Sequence, residues 1–180
     1  METYISILRG INVSGQKSIK MNILEKMYEN LDFKNVLTYV QSGNVISQYR
    51  SEKPEILERK IQNQIKTDFG YDVPVIILTL DRLKKIVDAN PLMEDPAKEK
   101  SFLHYTFLGS VPENYNQVEI LKRKSEQEEI YFTDDAIYLY CPNGYGRTKL
   151  NNNFLERKLK ITATTRNWKT TLKLLELAQK

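Results

Sequence analysis

The residues best suited to binding chemistry lie in one stretch near the C-terminal end of the chain, from Gly144 to Trp168. Guanidinium and ammonium groups bind phosphate and carboxylate, and side-chain amides can orient such a ligand through hydrogen bonds. The stretch therefore predicts a cationic, polar surface for an anionic partner, and no complete catalytic motif accompanies it. The candidate residues in it are Arg147, Lys149, Asn152, Asn153, Arg166 and Asn167.

The distribution of charge supports the same interpretation. The whole chain of 180 residues carries a net charge of +4, but the part from Pro142 to Lys180 has nine cationic residues against two acidic ones, which leaves +7 there. Such asymmetry favours an anionic partner for the C-terminal part. A solvated, lysine-rich helix face is an alternative of equal weight.

A second group of candidates lies in the loop after the first apolar run and in a later turn. An anion could bind among the cations and backbone amides of the loop, and the amide side chains of the turn offer hydrogen bonds. In the alternative interpretation, the loop and turn residues serve only chain reversal. The sequence of this loop differs from a P-loop motif by one inserted residue. Gln16 separates Gly15 from Lys17 and so displaces the lysine that would reach the phosphates. The candidates are Arg9, Asn12, Lys20, Gln41 and Asn44.

Several classes of site are excluded by residue counts. With a single cysteine, Cys141, and a single histidine, His104, the chain has no internal disulfide, cysteine-rich zinc site or paired-histidine metal site. We therefore predict no metal and no cofactor. His104 is expected to pack in the core. Tyr138 and Tyr140 are also expected to pack against other elements, and base stacking on these two rings is a weak alternative.

The same sequence predicts where the protein resides. No apolar run approaches the length of a membrane span, and the N-terminus has no pattern of a signal peptide. We expect a cytoplasmic protein that does not bind a membrane and is a monomer or a weak homodimer.

The order of elements predicts the fold class. Apolar periodicity indicates strand, helix, strand, strand, helix, strand and a further helix, and this order occurs twice along the chain. It is the order of the split βαββαβ unit, so we predict an α+β protein with two ferredoxin-like units in tandem. The expected division is a first unit at 1–90, a linker at 91–101 that is polar and contains prolines, and a second unit at 102–180.

Five motifs carry a resemblance to a known family. They are LRGINV from Leu8, YVQSGNV from Tyr39, YGRTK from Tyr145, NNFLERKL from Asn152 and ATTRNW from Ala163. With these motifs the chain resembles the bacterial family catalogued as domain of unknown function 1697, over nearly its whole length. The resemblance implies duplicated ferredoxin-like units and brings no established activity or catalytic residue. Ser14 stands where the family often has a second glycine in the first loop.

Three functions follow from these patterns. The first is a binding module for a phosphate-bearing partner, nucleic acid or nucleotide, through the basic C-terminal surface. The second is an enzyme acting on a small anionic substrate, with cations for electrostatic stabilisation. The third is an interaction protein without a ligand, whose polar motifs stabilise its own structure. The sequence leaves open whether the protein is an enzyme, because no nucleophile or general base is evident.

Overall fold

The computed structural model describes residues 1–180 and contains eight β-strands and six α-helices. The strands form two separate four-stranded sheets, and every pair of neighbouring strands is antiparallel. The chain divides into two compact units, unit 1 with Met1–Leu83 and Leu174–Lys180, and unit 2 with Lys84–Lys173.

Unit 1 is built on a sheet with the strand order β2-β3-β1-β4. Two helices connect its strands, and a third helix, which begins in unit 1 and ends in unit 2, follows the last strand. In chain order the elements are β1 (Glu2–Leu8), α1 (Met21–Asn30), β2 (Lys34–Tyr39), β3 (Asn44–Tyr49), α2 (Pro54–Phe69), β4 (Val75–Thr79) and α3 (Leu80–Asp88).

The core of unit 1 lies between α1, α2 and one face of the sheet. Leu57 and Ile61 of α2 are buried together with strand residues such as Leu8 and Val45. The helix begins at a proline and ends at Gly70, whose φ of 74° gives the left-handed cap that its sequence predicts. The amphipathic pattern of α2 therefore determined both its length and its buried face.

Unit 2 repeats this plan with the strand order β6-β7-β5-β8. Its elements are β5 (Leu103–Leu108), α4 (Gln117–Leu121), β6 (Glu129–Phe132), β7 (Ala136–Tyr140), α5 (Asn152–Leu159), β8 (Ala163–Asn167) and the first part of α6 (Trp168–Ala178), which belongs to unit 1 from Leu174 onwards. Phe154, Leu155 and Leu159 of α5 pack with the strands in one buried cluster. The predicted hairpin around Asp134 and Asp135 is present as β6 and β7.

Helix α4 is shorter than the predicted helix at 112–124. Asn116 caps it by accepting a hydrogen bond from the backbone N–H of Glu119, and Asn114 before it has a φ of 54°. A residue in the left-handed region interrupts a right-handed helix, so residues before the cap stay outside it.

The division into units differs from the predicted one. Residues 91–101, expected as a linker, lie in unit 2 and contain two short 3-10 helices, Pro91–Met93 and Lys100–Phe102. Leu92 is buried, and Asn90 accepts a hydrogen bond from its backbone N–H. The buried side chain of Leu92 anchors this segment, whereas a flexible linker would have no such anchor. At the C-terminus, Leu174–Lys180 belongs to unit 1, although the sequence placed it in the second unit.

The two units share one order of elements and one order of strands, which fits a tandem duplication. No helix combines the length and the apolar character that crossing a bilayer requires.

Candidate anion-binding site

A cationic pocket of about 520 Å³ lies within unit 2. Two segments bring its charges together: the end of α4 with the turn after it, and the loop between β7 and α5. Five of the eight lining side chains are cationic, and Glu128 is the single carboxylate among them. The lining residues are Lys122, Arg123, Lys124, Ser125, Glu128, Asn143, Arg147 and Lys149.

Backbone and side-chain hydrogen bonds hold the first segment in place. The N–H of Ser125 donates to Oε2 of Glu128 at 2.9 Å, and the N–H of Glu128 donates to the carbonyl of Ser125 at 3.2 Å. The Arg123 guanidinium lies 5.5 Å from the centre of the Phe154 ring, within cation–π range. These contacts fix the turn that carries the three consecutive cations.

The second segment is fixed by an aromatic anchor. Tyr145 lies in the 3-10 helix Tyr145–Arg147, and its ring stacks on His104 with 4.8 Å between centroids. Its hydroxyl accepts a hydrogen bond from the backbone N–H of Asn152 at 2.9 Å. The exposed side chains of Arg147 and Lys149 therefore extend from a well-anchored backbone.

The pocket cations have no carboxylate partners. None of the five forms a salt bridge, whereas nearby Lys158 is paired with Glu119 at 2.6 Å. The carboxylate of Glu128 is buried and already accepts the Ser125 bond. The pocket therefore has an excess of positive charge that an anionic ligand would neutralise.

Two of the predicted asparagines in unit 2 stabilise the fold. Asn152 donates from Nδ2 to the carbonyl of Ala163 at 2.9 Å and accepts from the Thr165 hydroxyl at 3.2 Å. Asn167 accepts from the backbone N–H of Thr170 at 2.8 Å and so caps α6, as its sequence position indicated. Neither residue lines the pocket.

Arg166 and Asn153 also lie outside the pocket. Arg166 is half-buried and donates from Nη1 to the Thr164 hydroxyl and to the Thr165 carbonyl. Burial lowers the pKa of the Arg166 guanidinium to about 10. Asn153 is exposed and lines a separate shallow depression with Arg157 and Lys160.

Among the candidates of unit 1, some side chains bond within the fold and others are exposed. Asn44 is fully buried and donates from Nδ2 to the Tyr39 carbonyl and the Ser42 hydroxyl, both at 3.0 Å. Gln41 and Lys20 are exposed, and Arg9 is half-buried at the end of β1. None of these four side chains lines the cationic pocket.

The first loop contains a small hairpin and has no phosphate-cradling geometry. Ser14 and Gly15 both have positive φ, and the N–H of Gln16 donates to the Val13 carbonyl at 2.9 Å. That is the geometry of a tight two-residue turn. Lys17 donates from Nζ to the carbonyl of Asp72 at 2.5 Å, and α1 begins only at Met21. The P-loop is thus excluded.

Asn12 holds this hairpin at its base. Its Nδ2 donates to the carbonyls of Ile19 and Gln41 at 2.9 and 2.8 Å, and its Oδ1 accepts from the N–H of Ile19 at 2.8 Å. We expect Asn12→Ala to lower the free energy of unfolding by about 2 kcal/mol, because backbone groups lose their partners and alanine disfavours the positive φ. Urea denaturation measures this loss. An unchanged midpoint together with a loss of ligand binding would instead assign Asn12 to a ligand site.

Other residues considered from the sequence are partly or fully buried. His104 lies on β5 with its Nδ1 3.1 Å from the Phe102 carbonyl, and burial lowers the pKa of its imidazole. Tyr138 is 1% exposed and donates its hydroxyl proton to the Ile86 carbonyl, which contradicts base stacking on this ring. Burial raises the pKa of the Cys141 thiol to about 12, so this cysteine is a poor nucleophile.

Two of the eight lining residues were predicted from the sequence, and six were not. Arg147 and Lys149 were predicted, but the run from Lys122 to Lys124 and the amide of Asn143 were not. A signal was present, since three consecutive cations end the helix predicted over 112–124. The run precedes Pro142, so the net charge of +7 for the part from Pro142 to Lys180 does not include it.

One comparison with known proteins shows the fold, and another shows the family. The conserved bacterial protein SP0830 from Streptococcus pneumoniae has a similar structure, with a TM-score of 0.74, 20% sequence identity and 98% of each chain covered. At that identity the likeness shows the fold alone. A search of curated proteins finds no significant match. The model of the family described as "Protein of unknown function (DUF1697)" matches residues 1–138. Two of the five pocket cations, Arg147 and Lys149, lie outside the matched range. Because this match spans more than half of the chain, the protein belongs to the DUF1697 family.

Proposed function

We propose that the protein is a binding module for a phosphate-bearing ligand, a nucleotide or a nucleic acid, and that unit 2 holds the phosphates in its cationic pocket. One observation carries the proposal: five cationic side chains without salt-bridge partners line a single pocket that has one carboxylate. Like charges repel one another, so such an arrangement is stabilised by an anion that binds among them.

The chemistry of the lining suits phosphate oxygens. Arg123 and Arg147 can each offer two parallel N–H donors, while the lysines act as mobile point charges. Asn143 and Ser125 add neutral hydrogen-bonding groups. The pocket volume of about 520 Å³ is in the range of small-molecule sites.

The scaffold is interpreted as two ferredoxin-like units. Each sheet has its first strand between the third and the fourth, with the second strand at an edge, and all pairs are antiparallel. That arrangement agrees with the split βαββαβ topology. In each unit, this strand order leaves the loops between strands and helices free to carry binding groups.

The double variant Arg147→Gln/Lys149→Gln tests the proposal. We expect it to weaken binding of ATP and of a short labelled oligonucleotide by about tenfold or more, because charge-assisted hydrogen bonds contribute about 1.5–3 kcal/mol each before solvent screening. Calorimetry measures the first affinity and fluorescence anisotropy the second. Both side chains are exposed, so the melting temperature should change little.

The matched control is Lys34→Gln/Arg59→Gln, which removes the same charge from exposed positions of unit 1. This variant should bind like the wild type. Equal losses in both variants would mean that net charge alone attracts the ligand, and the pocket would no longer be the site. Wild-type protein that binds neither ligand at low salt would refute the proposed function.

Glu128→Gln gives an effect of opposite sign. The glutamine oxygen can still accept the hydrogen bond from Ser125, so the turn is retained while the only negative charge of the pocket is removed. We expect about threefold to tenfold tighter binding of ATP in calorimetry. Glu113→Gln, at an exposed position outside the pocket, should have no such effect. Weaker binding by the Glu128 variant would show that this carboxylate contacts the ligand.

A further inference from the structure

We propose that the pocket recognises a linear chain of phosphate groups and does not recognise a nucleobase, so that inorganic tripolyphosphate is a ligand equal to ATP. The inference rests on the proposed function and narrows its ligand class. It follows from what lines the pocket and from the contacts of the aromatic rings around it.

The lining has no aromatic or aliphatic side chain on which a base could stack. Each of the eight lining residues is charged or polar, and none is aromatic or aliphatic. Sites that bind a base usually stack it on an aromatic ring or a hydrophobic wall. The aliphatic stems of lysine and arginine are the only apolar groups offered here.

Two aromatic rings close to pocket residues, Phe154 and Tyr145, are already in contact with other groups. Phe154 is 5% exposed and has Arg123 at 5.5 Å and Arg157 at 5.8 Å from its ring centre. Tyr145 is stacked on His104, and its hydroxyl accepts the bond from Asn152. A base could reach either ring only after these contacts break.

The distribution of charge favours several linked phosphates over one. The cations come from two segments, Lys122–Lys124 and Arg147–Lys149, and the pocket of about 520 Å³ has room for more than an orthophosphate ion. A single phosphate would leave part of the charge uncompensated. A short chain of phosphates can contact both segments at once, which adds their contributions without a second loss of translational freedom.

Calorimetric titration of the full chain with tripolyphosphate, ATP, GTP, orthophosphate and adenosine tests the inference. We expect the first three to bind with affinities within about threefold of one another, since no aromatic ring lines the pocket to stack on a base. Orthophosphate should bind at least about tenfold more weakly, and adenosine should give no heat of binding. Arg147→Gln/Lys149→Gln should weaken tripolyphosphate and ATP by the same factor, and Lys34→Gln/Arg59→Gln should weaken neither.

The other outcomes separate the two proposals. If ATP binds more than about tenfold tighter than tripolyphosphate, or differs that much from GTP, a base is recognised and the inference is wrong while the proposed function stands. Binding of an oligonucleotide without binding of tripolyphosphate also overturns the inference alone. If no phosphate ligand binds, the proposed function fails and the inference fails with it.

Discussion

Replacing Gly43 with alanine is expected to lower the free energy of unfolding by about 3 kcal/mol. A Cβ at this position would lie 2.7 Å from Cδ1 of Ile11 and 2.8 Å from Cβ of Leu8. Both neighbours are fully buried and cannot move aside at low cost. The residue also has a φ of +79°, which disfavours any side chain.

Gly70→Ala separates the two causes. Gly70 has nearly the same φ, +74°, but no heavy atom lies within 4 Å of its added Cβ. We expect this control to cost only about 1 kcal/mol, the price of the left-handed backbone alone. Urea denaturation of the two variants measures the difference, which reports the steric contact with Ile11 and Leu8. Equal losses would show that the hairpin relaxes to accept the methyl group.

Replacing the three consecutive cations is expected to have the largest effect on binding. Lys122→Gln/Arg123→Gln/Lys124→Gln removes three of the five pocket charges, so we expect about a hundredfold or greater loss of tripolyphosphate affinity in calorimetry. For a labelled oligonucleotide, the dependence of the binding constant on salt should also become shallower, because fewer counterions are released.

Thermal melting and a charge-matched variant are the controls for this triple replacement. Loss of the contact between Arg123 and Phe154 costs about 0.5–1 kcal/mol, which leaves the fold intact. Lys34→Gln/Lys53→Gln/Arg59→Gln removes equal charge from exposed positions in unit 1 and should retain nearly full affinity. A triple variant in the pocket that binds as well as this control would exclude the run from the ligand site.

The asparagines illustrate why sequence alone misassigns polar residues. Asn12, Asn44 and Asn152 were candidate ligand contacts, yet each donates from its side chain to backbone carbonyls of its own unit. The same amide chemistry serves a ligand or an internal backbone group, and only the positions of those backbone groups decide between them. Exposed Arg147 and Lys149 have no such internal side-chain partners, and both line the cationic pocket.

Much of the architecture was determined by the sequence itself. Apolar periodicity, Gly70 and the turn residues around Asp134 specified the helices, the hairpins and the doubled order of elements, because each depends on neighbours a few residues apart. Tertiary structure decided the rest. It made 91–101 part of unit 2 by burying Leu92, and it joined Lys122–Lys124 to Arg147 and Lys149 in one pocket. The two groups of residues are separated along the chain by the hairpin of β6 and β7, and only the pairing of these strands in the folded sheet brings the groups together.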